Sequence, residues 1–211
     1  MPSALVVGAS GLVGRECLRL LLDDPAYERV VVLARRAAPE GLRSPKLAWR
    51  VVDFERLADA HVATAVDHVF CALGTTIKQA GTRERFHRVD HDYPLAVARL
   101  TRTAGARHFG LVSAAGADAR SRIFYNRVKG ETERDLAALG WPSLTIARPS
   151  LLLGDRAERR RGEELGKRLA FLVPRRWKPI DARRVAAALV RAAKEERPGV
   201  RVMESAEMNR D

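Results

Sequence analysis

The chain has 211 residues, 46% hydrophobic and 30% charged, which supports a full core and excludes a disordered or fibrous polypeptide. Lysine and arginine (38) outnumber aspartate and glutamate (26), for a net charge of +12 and a pI near 10.7. The excess is mostly arginine spread along the chain, without a basic tail or interleaved aromatics, so an anionic small-molecule substrate is expected and nucleic acid is not the primary partner. No apolar run is long enough to cross a membrane, and the first residues lead into a strand without a basic leader. Cys17 and Cys71 have no spacing suited to a disulfide, metal or redox pair. These features predict one cytoplasmic domain over residues 1–211.

Leu5, Val6 and Val7 form a short apolar run, as in a parallel strand covered on both faces, and Gly8, Gly11 and Gly14 follow in G-x-x-G-x-x-G spacing. The amphipathic stretch from Leu12 through Leu22 reads as a helix. Strand, glycine turn and helix start together form a dinucleotide-binding loop, in which Gly8 turns the chain, Gly11 admits a pyrophosphate and Gly14 packs the helix on the sheet. Ser10, Leu12 and Val13 complete this cradle at the helix N-terminus, where free N–H groups and the helix dipole favour phosphate.

A second strand is expected over 29–34, followed by Arg35 and Arg36. At this point an acid would hold the ribose 2′-hydroxyl of NAD, whereas arginine suits the 2′-phosphate of NADP, so NADP is expected over NAD. Residues 47–52 make a third strand. Asp53 beyond it could accept from the adenine amino group, with Phe54 lining the adenine pocket; an Asp after a strand is also a common helix cap. Residues 55–66 read as a helix and 67–74 as a fourth strand, whose carboxyl end, with Leu73, Gly74, Thr75 and Thr76, would face the cofactor; the two threonines could equally be turn hydroxyls.

One packing helix is expected over 83–104. It carries His87 and His91 at i and i+4, but no third ligand stands at a persuasive spacing, and no metal site is expected. Residues 109–113 make a fifth strand ending at Ser113. Tyr125 and Lys129 then form Y-x-x-x-K at the start of a helix, where i and i+4 share a face. A fixed cation beside a phenol favours phenolate, so Tyr125 could act as general acid or base while Ser113 donates to a carbonyl oxygen.

The chain resembles the short-chain dehydrogenase/reductases. The closest likeness is to an atypical, small NAD(P)H-binding branch that includes the Tat-interacting oxidoreductase-like proteins and bacterial relatives labelled nucleotide-sugar epimerases. It rests on the glycine spacing, Leu73-Gly74-Thr75-Thr76, Val89-Asp90-His91-Asp92-Tyr93, Ser113-Ala114-Ala115-Gly116, Tyr125-Asn126-Arg127-Val128-Lys129-Gly130-Glu131 and Arg148-Pro149-Ser150.

The resemblance implies a doubly wound, mostly parallel Rossmann-type α/β fold with a small C-terminal substrate-covering region. It also implies NADP-dependent hydride transfer to or from a carbonyl or hydroxyl substrate, with an epimerase-like activity or a purely NADPH-sensing protein as the alternatives. Ser113, Tyr125 and Lys129 would be catalytic, Lys129 would also hold the nicotinamide ribose, and Pro149 and Ser150 would lie against the nicotinamide. Asp90 departs from the pattern, because it stands where many members place an asparagine that holds a water of the proton relay.

Residues 154–180 are strongly basic around the apolar run 169–173. They could be a lid for an anionic substrate, an amphipathic surface for lipid or a protein partner through 156–178, or a solvated helix. A helix over 182–196 and a short strand at 200–203 close the pattern.

Overall fold

The computed structural model describes residues 1–59, 65–153 and 179–209. Seven strands form one sheet in the order β3-β2-β1-β4-β5-β6-β9. They are β1 (Ser3–Val7), β2 (Arg29–Ala34), β3 (Leu47–Val51), β4 (His68–Cys71), β5 (His108–Val112), β6 (Ser143–Arg148) and β9 (Gly199–Glu204). Every pairing is parallel, with Leu5 of β1 opposite Val31 of β2 on one side and Val69 of β4 on the other. The strand order reverses between β1 and β4, which is where doubly wound sheets open a crevice for ligands. Two short strands, β7 (Leu152–Leu153) and β8 (Ile180–Asp181), pair separately.

All five residues of β1 are buried because helices cover both faces of the sheet. Ala4 and Val6 face α1 (Leu12–Asp23) and α6 (Ala182–Glu195), in a core with Leu18, Leu21, Val185 and Leu189. Leu5 and Val7 point the other way, towards α4 (Tyr93–Thr103) and α5 (Phe124–Ala137), in a core with Leu95, Ala98 and Leu136. The alternation follows from the two-residue period of a strand.

Among the described residues the remaining α-helices are short: α2 (Ile77–Ala80) and α3 (Arg83–His87), capped by Thr76 and Thr82, and α7 (Ser205–Met208).

Three expected elements differ. The single helix over 83–104 is α3, a π-helical turn over Arg88–Asp92, and α4. Pro94 explains the break. It has no N–H to give the carbonyl four residues back, that of Asp90, and its ring crowds that carbonyl. The Tyr93 N–H bonds instead to the Arg88 carbonyl, five residues back, and the Thr132 hydroxyl supplies Asp90 with a donor at 2.9 Å. Second, the segment after β3 is a 3-10 helix, Phe54–Asp59, broken at Arg56 (φ −124°), and residues 60–64 lie outside the described residues. Third, β4 ends at Cys71 rather than at residue 74, which frees Ala72–Thr75 to cross the crevice.

Candidate functional site

The glycine loop joins β1 to α1 at the switch point. Gly8 has φ +82°, and a Cβ there would meet the Ala72 carbonyl oxygen at 2.3 Å, so the turn and the approach of the β4 extension both require glycine. A Cβ on Gly14 would lie 2.2 Å from the Gly8 carbonyl oxygen, which seats α1 directly on the loop. Between them Ser10 and Gly11 are exposed, and the Gly11 N–H donates to the Gly8 carbonyl at 2.9 Å. The N-cap of α1 is Gly11, without a side-chain acceptor, and no acidic residue stands in the first turn. The start of α1 therefore offers backbone N–H groups and a positive dipole end, which fits a pyrophosphate. Leu12 is half-buried and Val13 buried beneath it.

On the β2 side, Arg35 and Arg36 are both exposed just past the strand, and the Trp49 indole N–H donates to the Arg36 carbonyl at 2.8 Å. Asp53 lies at the carboxyl end of β3, where its Oδ1 accepts from the Glu55 N–H at 3.0 Å, the capping arrangement. The Phe54 ring is buried and stacks on Tyr93 at 5.4 Å between centroids, so core packing accounts for it. From β4, Leu73 packs at the edge of the core and Gly74 is exposed. Pro149 is buried beyond β6, its carbonyl accepting from the Ala115 N–H at 2.8 Å, and the Ser150 N–H donates to the Ser205 hydroxyl at 2.6 Å.

Tyr125 lies in the first turn of α5, half-buried, with its ring 5.6 Å from Phe86. Lys129 is one turn further and 7% exposed. Its Nζ lies 2.7 Å from Asp90 Oδ1, and Asp90 is 1% exposed. The other carboxylate oxygen of Asp90 accepts from the Thr75 N–H at 2.8 Å. Burial disfavours the Lys129 charge, but Asp90 and, next, Tyr125 more than offset this and hold the ammonium above its usual range. Gly74 completes the cluster, since a Cβ there would be 3.3 Å from Asp90 Oδ1 and 3.7 Å from Lys129 Nζ.

Ser113, just past β5, is 5% exposed, and its hydroxyl donates to Glu133 Oε1. Glu133 lies two turns after Tyr125 on α5 and is clamped by Arg148, whose Nε is 3.1 Å and whose second guanidinium nitrogen is 2.5 Å from its oxygens. Arg148 also reaches Glu204 at 3.5 Å. Sequence reasoning placed Asp90 only as a departure and missed Glu133. The one available signal was spacing, because a residue eight after Tyr125 falls on the same helix face.

The loop follows β1, Ser113 follows β5 and Lys129 packs against Gly74 beyond β4, all past the carboxyl ends of strands in one parallel sheet, while the basic segment 156–178 lies outside the described residues. A doubly wound sheet with a phosphate-type glycine loop at its switch point and a Tyr–Lys helix beside it defines a nucleotide-cofactor-binding α/β protein. The chain belongs to the NAD(P)H-binding family, whose model matches residues 8–196.

Among its relatives is protein HTATIP2 of Rattus norvegicus, 38% identical over 177 residues, covering 83% of this chain and 73% of that protein. Protein FMP52, mitochondrial, of Eremothecium gossypii is 35% identical, covering 98% of this chain and 95% of that one. In fold it matches the Bordetella bronchiseptica enzyme WbmH in complex with NAD+, with a TM-score of 0.71 at 16% identity over 97% of this chain and 76% of that one. A short chain dehydrogenase from Burkholderia cenocepacia in complex with NADP gives 0.69 at 16% identity, covering 96% and 87%. The chain shares the doubly wound α/β fold of these structures, and no helix among the described residues is long and apolar enough to cross a membrane.

Proposed function

We propose that this chain is an NADP(H)-dependent oxidoreductase acting on a carbonyl or hydroxyl group, as one domain in which residues 154–180 cover a small, anionic substrate. The observation that carries this reading is Lys129, one turn after Tyr125, packed against Gly74 on the β4 extension, whose Ala72 the Gly8 turn approaches, and kept charged although buried. When bound, the nicotinamide supplies or accepts the hydride. Exposed backbone at Ser10 and Gly11 and the start of α1 hold the pyrophosphate, and Arg35 and Arg36 pair with the 2′-phosphate. Tyr125 gives its phenolic proton to the substrate oxygen, or takes it back in the reverse direction. Lys129 sets the charge beside that phenol and faces the ribose, and Asp90 fixes the lysine. Ser113 orients the substrate oxygen. Pro149 and Ser150 border the nicotinamide side of the crevice.

A second reading, a cofactor-sensing protein with little turnover, draws support from the same side chains. The Ser113 hydrogen is directed at Glu133 and the Lys129 charge at Asp90, so both groups have internal partners. Replacing Tyr125 with Phe separates the two. In an enzyme the variant binds NADPH as wild type does and loses turnover over a panel of aldehydes, ketones and quinones. Equal NADPH consumption by wild type and variant would overturn the oxidoreductase reading. The cytoplasmic location belongs to this proposal as well. Its fungal relatives carry the name mitochondrial, and fractionation of cells making the full chain decides it.

A further inference from the structure

On the outer side of the π turn, away from the chemistry assigned above, His87, His91 and Asp92 bring three metal-ligating atoms within 4.8 Å of one another. The π turn creates this group. In a regular α-helix a residue at i+5 is rotated about 140° from residue i, which would carry Asp92 off the face shared by His87 and His91. With the wider turn, Asp92 Oδ1 stands 3.4 Å from His87 Nδ1 and 2.7 Å from His91 Nδ1, and the two rings lie 4.4 Å apart between centroids. Ligands about 2.0–2.1 Å from a tetrahedral zinc-class ion are separated by about 3.3 Å, and the two separations measured from Asp92 Oδ1 lie on either side of that value.

The far nitrogen of each ring faces a carboxylate of α5. His91 Nε2 is 3.0 Å from Asp135 Oδ2, and His87 Nε2 is 3.8 Å from Glu131 Oε2. Asp135 is itself held by Arg134, whose Nε lies 2.6 Å from its Oδ1. Carboxylate, imidazole and metal in series is the usual outer-shell arrangement of histidine ligands, with the outer acid fixing the tautomer that leaves the inner nitrogen bare. A neutral imidazole has one N–H, yet His91 has a carboxylate at each nitrogen. With that hydrogen on Nε2 towards Asp135, Nδ1 presents its lone pair beside Asp92 Oδ1, and His87 Nδ1 is directed at the same oxygen.

We propose that His87, His91 and Asp92 form a binding site for one divalent transition-metal ion of the zinc class, with Asp135 and Glu131 as outer-shell acids and water on the exposed side. The ion clamps the π turn onto α5, and it is independent of the cofactor reading.

The test uses the untagged full chain, stripped with chelator and titrated with Co²⁺ and then Zn²⁺. The expected result is one Co²⁺ per chain with the visible absorption of a low-coordinate nitrogen and oxygen site, displaced by Zn²⁺, together with a metal-dependent rise in thermal midpoint. His91→Ala and Asp92→Asn should abolish both signals, and Asp135→Asn should weaken binding about 10–100-fold. Circular dichroism and NADPH binding of the stripped variants report that they are folded. Absence of stoichiometric Co²⁺ binding to wild type, or binding unchanged in folded His91→Ala, would overturn the proposal.

Discussion

Lys129 Nζ and Asp90 Oδ1 meet at 2.7 Å with both residues almost wholly buried, so the cation that the Tyr-x-x-x-Lys spacing supplies is one half of an ion pair. Removing one member of such a pair leaves an uncompensated buried charge. Asp90→Asn should lower the unfolding free energy by about 3–5 kcal/mol, measured by urea denaturation. Adding Lys129→Met should recover part of that loss. A strictly additive double variant would mean that the two side chains are not coupled.

Glu133 receives the Ser113 hydroxyl and the Arg148 guanidinium together. Glu133→Gln removes a charge-assisted acceptor and should cost about 1.5–3 kcal/mol of stability, more than Ser113→Ala does. NADPH affinity should be unchanged, because both residues are buried and bonded to each other and to Arg148. A fall in NADPH affinity, read by fluorescence titration, would mean that the pair supports the cofactor site.

Arg35 and Arg36 stand exposed where a 2′-phosphate would come. Replacing both with Ser should weaken NADPH binding roughly 10–100-fold, the value of losing one charge-assisted contact to phosphate, and leave NADH binding unchanged. Equal effects on the two nucleotides would remove these arginines from cofactor selection.

At the opposite edge of the sheet, burial pushes His108 down to about 3, and its Nδ1 contacts the Ser143 hydroxyl at 2.8 Å. Burial also lowers His68, which bridges Tyr27 at 2.7 Å and Glu196 at 2.6 Å. An imidazole whose folded value is depressed contributes its full stability above the unfolded value of about 6.5 and loses it as the pH falls below that. Stability should therefore decline below pH 6.5, by up to about 1.4 kcal/mol per unit for His108 alone. Glu196, held low by Arg107, adds to the loss as the pH approaches its folded value, because its contribution is present only above that range. Denaturation midpoints at a series of pH values check this, and His108→Asn should flatten the curve between pH 6.5 and 5.

The strand, loop and helix at the start of the chain were legible because every determinant is local: an apolar run, three glycines and an amphipathic repeat within twenty residues or so. Five of the seven sheet strands followed from apolar runs and the Tyr125–Lys129 face from helical period, and a short strand at 200–203 was legible as β9. Where periodicity was extended too far it failed. A 3.6-residue repeat runs unbroken through 83–104, but Pro94 removes the donor that the Asp90 carbonyl needs, and only Thr132 on another helix could replace it. The pairing of a residue with what lies beside it in space was illegible for the same reason. Asp90 with Lys129, and Ser113 with Glu133 and Arg148, join segments whose distance is set by how helices pack on the sheet, and Asp92 comes beside His87 through the π turn that a regular repeat conceals.

The sequence by itself determined the kind of fold and the cofactor loop, since these depend on backbone conformation and burial pattern, which are short-range. Tertiary structure alone decided the electrostatics of the site. Burial strengthens each charge's dependence on its nearest partner, and those partners come from helices and strands remote in the chain.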